Sequence, residues 1–189
     1  MALHDFDFPM TQAAGIRLLI LDVDGVMTDG SIIMDHAGRE LKAFNVRDGH
    51  GIKMLQRADI QIGIITGRSS EVVAARTADL GIPHVIQGAL DKSAALDRMQ
   101  EMTGIPCDRY AYMGDDIIDL PPMRRCRLAF APGDAHPAVL QAADWVSGMP
   151  GGHGAVRQAA EGLLLANDGW PDIVESRYGV TPADCGWAI

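Results

Sequence analysis

The stretch from residue 16 to residue 28 constrains this chain more than any other: Leu18-Leu19-Ile20-Leu21 breaks off at Asp22-Val23-Asp24-Gly25. A run this short cannot cross a membrane. Near-continuous Leu and Ile is what a strand needs when helices cover both of its faces, as in a parallel sheet. Ligands of parallel sheets sit beyond the carboxyl ends of the strands, where Asp22 and Asp24 fall. Residues i and i+2 of a strand share a face, so a strand continued through Asp24 aims both carboxylates at one volume. Two carboxylates that close repel unless a proton or a cation lies between them. All-oxygen ligands select a hard cation, which points to Mg²⁺. Asp-Val-Asp-Gly is also a sequence that caps helices and makes turns, so its neighbours along the chain must separate the two readings.

The rest of the chain alternates strand and helix. Residues 31–34 and 39–46 read as two arms of a hairpin around Asp35-His36-Ala37-Gly38, inserted where a helix is expected. A helix opens at Asp48-Gly49, and a second buried strand, 60–65, ends in Thr66-Gly67-Arg68. A helix over 70–80 leads to a short strand at His84–Ile86, and Asp91-Lys92-Ser93 opens a helix stopped by Gly104. The strand Tyr110–Met113 runs into Gly114-Asp115-Asp116 and on to Asp119, and Leu128–Ala131 is another strand. A helix over 137–143, a short strand over 144–146 and a helix over 155–166 complete the pattern. This order predicts an α/β fold with a doubly wound parallel sheet. We expect one domain over 1–189, with its core at 16–166, the hairpin insert at 31–46 and a tail at 167–189. The tail shows no regular pattern, and its Trp170 and Trp187 are expected to pack on a neighbour.

Composition removes several function classes. A formal net charge of −9 argues against a basic nucleic-acid face, so any bound phosphate needs local cations. Cys107, Cys126 and Cys185 are odd in number and widely spaced, which suggests neither a disulfide framework nor a zinc cluster and suits a reducing cytoplasm. Residues 1–10 lack the basic and apolar regions of a secretory signal, and no run has membrane-spanning length.

Four strand ends therefore carry complementary polar groups in order: Asp22 with Asp24, Thr66, Lys92 at the next helix start, and Asp115, Asp116 and Asp119. Phosphoryl transfer needs an oxygen nucleophile, a divalent cation, donors for the nonbridging oxygens and an acid for the departing oxygen. Singly, Thr66-Gly67 is a turn, Lys92 a solvated helix residue and Gly114-Asp115-Asp116 a helix cap; their joint placement at successive carboxyl ends favours a site.

Asp22-Val23-Asp24-Gly25-Val26, Thr66-Gly67-Arg68, Lys92 and Gly114-Asp115-Asp116 with Asp119 resemble the four motifs of the haloacid dehalogenase phosphohydrolase superfamily. Further stretches, Glu40-Leu41-Lys42-Ala43-Phe44-Asn45-Val46-Arg47-Asp48-Gly49 and Asp134-Ala135-His136-Pro137 among them, resemble a cap-less, tetrameric branch acting on a phosphorylated sugar acid. The resemblance implies that Asp22 is the nucleophile and Asp24 the acid and then the base. It implies Mg²⁺ held by Asp22, the Asp24 carbonyl and Asp115, with Thr66 and Lys92 on the phosphate. Asp116 and Asp119 are expected to orient Lys92 or the metal's waters. Substrate contacts are implied for Asp24, Asn45, Val46, Arg47, Asp48, Gly49, Lys53, Thr66, Gly67, Arg68, Arg76 and Lys92, with sites completed by a neighbouring subunit of a homotetramer. Lys53 stands where related sequences often have Arg, and His153 and Gln158 where they commonly have Arg and Glu. The resemblance implies an eight-carbon or nine-carbon ulosonic acid phosphate as substrate, with Arg68 favouring the former. A phosphoacceptor switch domain shares the sheet, Asp, Thr and Lys, but Asp24 supplies the acid and base that turnover needs.

Overall fold

In the computed structural model, which describes residues 7–187, the apolar run becomes the middle of a six-stranded sheet. In chain order the strands are β1 (Leu18–Leu21), β2 (Ile33–Met34), β3 (Glu40–Leu41), β4 (Gln61–Ile65), β5 (His84–Ile86), β6 (Tyr110–Met113), β7 (Leu128–Ala131) and β8 (Trp145–Val146). The helices that matter below are α1 (Met10–Ala13), α2 (Val46–Arg57), α3 (Glu71–Asp79), α4 (Lys92–Thr103), α5 (Leu120–Met123), α6 (Pro137–Ala142) and α7 (Ala155–Ala166). The sheet order is β5-β4-β1-β6-β7-β8, every pairing parallel, and β2 with β3 forms a separate antiparallel ribbon.

The chain leaves β1 with β4 on one side and β6 on the other, so the strand order reverses at β1. Parallel α/β sheets open a crevice at the carboxyl end of such a switch point. Alternation along β1 divides the core: Leu19 and Leu21 join Ile52, Leu55, Leu163 and Leu164 on one face, while Leu18 and Ile20 join Leu96, Met99 and Tyr112 on the other. Burial on both faces explains why the strand is apolar at every position.

Three expectations are corrected. β1 stops at Leu21, so pleat alternation does not aim the acidic pair. A tight turn does, its Val23 carbonyl accepting from the N–H groups of Val26, Met27 and Thr28. The helix expected from Asp48 begins at Val46, because the Asn45 side chain accepts from Arg47 N at 2.8 Å and caps it; the hairpin's second arm is correspondingly short. The tail packs on its own chain. Trp170 and Trp187 are buried, Trp170 Nε1 donates to the Val180 carbonyl at 3.0 Å, and Trp187 Nε1 donates to Glu161 at 2.9 Å. Phe8, from before α1, meets Trp187 edge-on at 5.8 Å. The reading of the first ten residues falls mostly on 1–6, outside the described residues, as do residues 188–189 of the tail.

Among the described residues, no helix is long and apolar enough to cross a membrane, and the three cysteines are free.

Candidate active site

Asp22, Asp24, Thr66, Gly67, Arg68, Lys92, Asp115 and Asp116 line one cleft of about 340 Å³, joined by Leu90 and Ile118. They converge because each stands just past a parallel strand or at the helix start beyond it. A cavity of about 350 Å³ at the opposite end of the strands, beside Arg17 and Gln61, shares none of these groups.

Asp22 is only 6% exposed and lies 2.7 Å from the Lys92 ammonium through Oδ2, while Oδ1 accepts from Val23 N at 2.7 Å. Lys92, 2% exposed, is also 2.7 Å from Asp119 Oδ1. Burial by itself lowers an ammonium's pKa, but Asp22 and Asp119 more than offset it, so Lys92 stays charged. Asp119 is wholly consumed by donors. Its Oδ1 takes Lys92 and the Tyr112 hydroxyl at 2.7 Å, and its Oδ2 takes the N–H groups of Asp115 and Asp116 at 3.3 and 3.4 Å. Asp116 instead faces solvent and caps the turn over 117–119, accepting from Ile117 N at 2.7 Å.

Asp115 is the counterpart of Asp22. Its Oδ1 is buried and has no hydrogen-bond partner among the described residues. Its Oδ2 lies so close over Gly25 that a Cβ there would come within 2.1 Å, and the Gly25 φ of +87° also requires glycine. Oxygens of Asp22, Asp115 and Asp119 lie within 4.8 Å of one another. Burial, partly countered by Lys92 and reinforced by Asp119, pushes the Asp22 pKa up to about 6. Burial with the neighbouring Asp22 and Asp119 pushes Asp115 up to about 7. An orphaned buried oxygen among mutually repelling acids fits a divalent cation, and with Asp119 committed to its donors, Asp22 and Asp115 are the carboxylates left to hold it.

The sign of the pH dependence follows. Both acids titrate above the ordinary 3.8, so the folded protein keeps protons that the unfolded chain has released. The contribution of this pair to stability is full below 3.8 and is lost as pH rises through about 6 to 7 without the cation. Cation binding needs both acids ionised, so Mg²⁺ raises the melting temperature more at pH 8 than at pH 5. At about 100 times Kd the gain is roughly 2.7 kcal/mol, or about 5–10 °C. Melting curves with and without Mg²⁺ at both pH values check this; an equal shift at both removes the site.

The remaining candidate residues form a second group, along the amino end of α2 and against α3. Val46 and Arg47 are exposed. Arg76 pairs with Asp79 at 2.7 Å, lies over the Phe44 ring at 5.7 Å and presses on Gly49, where a Cβ would come within 2.4 Å of its Nη2. Its Nε is buried with no hydrogen-bond partner among the described residues. Lys53 donates to the Leu80 carbonyl at 2.7 Å, capping α3. Asp48 turns its carboxylate inward: it accepts from Gly154 N at 3.3 Å and Arg157 N at 2.8 Å and caps α7. Of the two departures in the 151–158 segment, Gln158 Oε1 accepts from Ser147 Oγ at 2.6 Å and Gly148 N at 3.0 Å, and His153 Nδ1 donates to the Gly151 carbonyl at 2.8 Å. Sequence reasoning assigned no role to Glu40, Lys42 or Ser70, which gather beside Asp24 and Arg68. The i, i+2 spacing of Glu40 and Lys42 in a hairpin arm was the signal available for two of them.

A parallel sheet ending in a lysine-braced aspartate, a second acid two residues on and a buried orphan carboxylate defines a class, the haloacid dehalogenase-like hydrolases, whose sequence profile matches residues 79–158. The chain is 50% identical over 157 residues to the 3-deoxy-D-manno-octulosonate 8-phosphate phosphatase of Escherichia coli, covering 83% of this chain and 84% of that one. Its backbone superposes on the crystal structure of the Yersinia pestis phosphatase of that name with a TM-score of 0.85, at 46% identity over 88% of this chain and 90% of that one. The Moraxella catarrhalis phosphatase, solved with magnesium ion, phosphate ion and KDO molecule, superposes with a TM-score of 0.85 at 37% identity, over 88% of this chain and 96% of that one. The chain belongs to the family of the 3-deoxy-D-manno-octulosonate 8-phosphate phosphatases.

Proposed function

We propose that this chain hydrolyses 3-deoxy-D-manno-octulosonate 8-phosphate to 3-deoxy-D-manno-octulosonate and inorganic phosphate, with Mg²⁺ as cofactor, in lipopolysaccharide precursor synthesis. The observation that carries the reading is Asp22, ionically braced by Lys92 at 2.7 Å and facing Asp24 and Thr66 in one cleft.

An Asp22 oxygen attacks phosphorus, forming the aspartyl-phosphate as the bond to the sugar oxygen breaks, and the Asp24 carboxyl gives its proton to that departing oxygen. The Asp24 carboxylate then takes a proton from the water that attacks phosphorus. The bond to Asp22 breaks, phosphate leaves, and Asp24 is protonated again. Lys92 and Thr66 hold the nonbridging oxygens. Asp22, Asp115 and the Asp24 carbonyl would hold Mg²⁺, which would supply the charge neutralisation that lets one anion approach another. Asp119 keeps Lys92 aimed, and Arg68 offers a fork to the sugar carboxylate.

The group at Asn45, Val46, Arg47, Asp48, Gly49, Lys53 and Arg76 completes the cleft of a neighbouring subunit in a homotetramer. Its support is the hairpin, which exposes Ile33 by 44% and its cross-strand partner Leu41 by 54%, an apolar face with no partner among the described residues. The Ile33→Asp, Leu41→Asp double variant should assemble less far; an unchanged mass in light scattering would remove the hairpin from assembly. The three free thiols suit a reducing cytoplasm.

A phosphate-release screen of eight- and nine-carbon ulosonic acid phosphates with Mg²⁺ tests the reading. The eight-carbon 8-phosphate should give the highest kcat/KM, and preference for a nine-carbon substrate overturns the assignment.

A further inference from the structure

We propose that Lys42, tied to Glu40 on the inserted hairpin, is a positioning residue for the reaction, fixing the Asp24 carboxyl group toward the leaving oxygen. The inference rests on the acid-base reading of Asp24.

The β2–β3 ribbon pairs Ile33 with Leu41 and Met34 with Glu40. Alternation along the second arm turns Leu41 outward and brings Glu40 and Lys42 inward. The Lys42 side chain is only 1% exposed, and its ammonium contacts Asp24 Oδ1 while lying 3.3 Å from Glu40 Oε1. Glu40 is gripped in turn by Arg68 Nη2 at 2.9 Å and by the Ser70 hydroxyl. Arg68 Nε lies 3.8 Å from Asp24 Oδ2. With Asp24 in the carboxylate form that follows proton donation, four charges of alternating sign close a ring: Asp24, Lys42, Glu40, Arg68 and back to Asp24.

A lysine on a two-stranded ribbon ordinarily keeps its ammonium in water. Burying it forfeits hydration and rotamer freedom, so the position is retained where geometry returns something for that loss. Here the return is placement. Asp24 lies on a turn beyond the end of β1, and Lys42 and Arg68 are the side chains that grip its carboxylate among the described residues. Asp119 does the corresponding service for Lys92 from within the sheet's own loops; for Asp24 it comes from the hairpin. Ile33 and Leu41 thus share one face of the hairpin, while Glu40 and Lys42 reach the cleft from the other. Proton delivery to an alkoxide tolerates little misplacement of the acid.

The test compares two leaving groups. A sugar-acid phosphate expels an alkoxide that needs the Asp24 proton, whereas 4-nitrophenyl phosphate expels a phenolate that does not. Lys42→Met should lower kcat on the sugar-acid phosphate about 10–100-fold with KM changed less than about threefold. The pre-steady-state burst of nitrophenolate should fall less than about threefold, and Lys42→Arg should recover most of kcat. Asp24→Asn should show the same leaving-group split. Glu40→Gln leaves Lys42 in place but loosens it, and should give a smaller split of the same sign, which covers the case that Lys42→Met folds poorly. Equal losses on both leaving groups, or a loss confined to KM, overturn the proposal. The split is read on any alkyl phosphate that the unsubstituted protein hydrolyses. A wrong sugar assignment therefore appears in the substrate screen, separately from a wrong role for Lys42.

Discussion

Asp22→Asn eliminates phosphate release, by on the order of 10⁴–10⁶-fold, while leaving the fold standing. An amide at this position has no anionic oxygen to attack phosphorus, so the first bond of the sequence cannot form. The structural cost is small because β1 is held by backbone pairing to β4 and β6 and by Leu18 to Leu21, none of which uses the Asp22 side chain. Lys92 keeps Asp119 as its partner at 2.7 Å. Acid quenching during turnover of a ³²P-labelled substrate should trap label on the unsubstituted protein and none on the variant, with circular dichroism unchanged. Retained activity in Asp22→Asn ends the nucleophile assignment, whatever the family likeness.

Lys92→Ala should cost stability as well as activity. The ammonium is shared by two buried carboxylates at 2.7 Å each, and removing one partner of a buried ion pair costs about 3–5 kcal/mol because the other charge stays buried without compensation. For a chain of this length that corresponds to a fall of about 6–20 °C in melting temperature. An exposed lysine in the same helix turn would contribute about 1 kcal/mol or less. The loss should shrink at pH 5, where Asp22, with its pKa near 6, takes up a proton, and shrink again when Mg²⁺ supplies the missing positive charge. A melting temperature within about 2 °C of the parent at pH 8 would mean that Asp22 and Asp119 do not depend on Lys92.

The two acids after β1 illustrate how far local pattern reaches. Their position beyond a buried parallel strand was legible, and the cleft is where that position implies. The reason offered for their convergence, a strand continued through Asp24, was not the operative one. The chain leaves the pleat at Leu21 and folds onto the Val23 carbonyl. Caps were legible for a related reason: Asp91 before Lys92 and Ser70 before α3 accept from Ala94 N and Val73 N within their own first turns. The cap that Asp48 places on α7 was not legible because its partners, Gly154 N and Arg157 N, lie more than a hundred residues away. The tail tryptophans were opaque for the same reason, since composition reveals their need for cover but not whose surface supplies it.

What the sequence alone determined is the α/β class and the order of the polar strand ends that meet in one cleft. Apolar runs, turn residues and capping side chains act within a few residues of themselves. Only the tertiary structure decided that Lys42 and Glu40 face Asp24, that Asp119 is spent on Lys92 and Tyr112, and that Asp115 is left with an unpartnered buried oxygen. Those assignments depend on which face a two-residue strand presents and on which loops a parallel sheet brings side by side. A shift of one residue in register reverses the first of these without changing any local propensity.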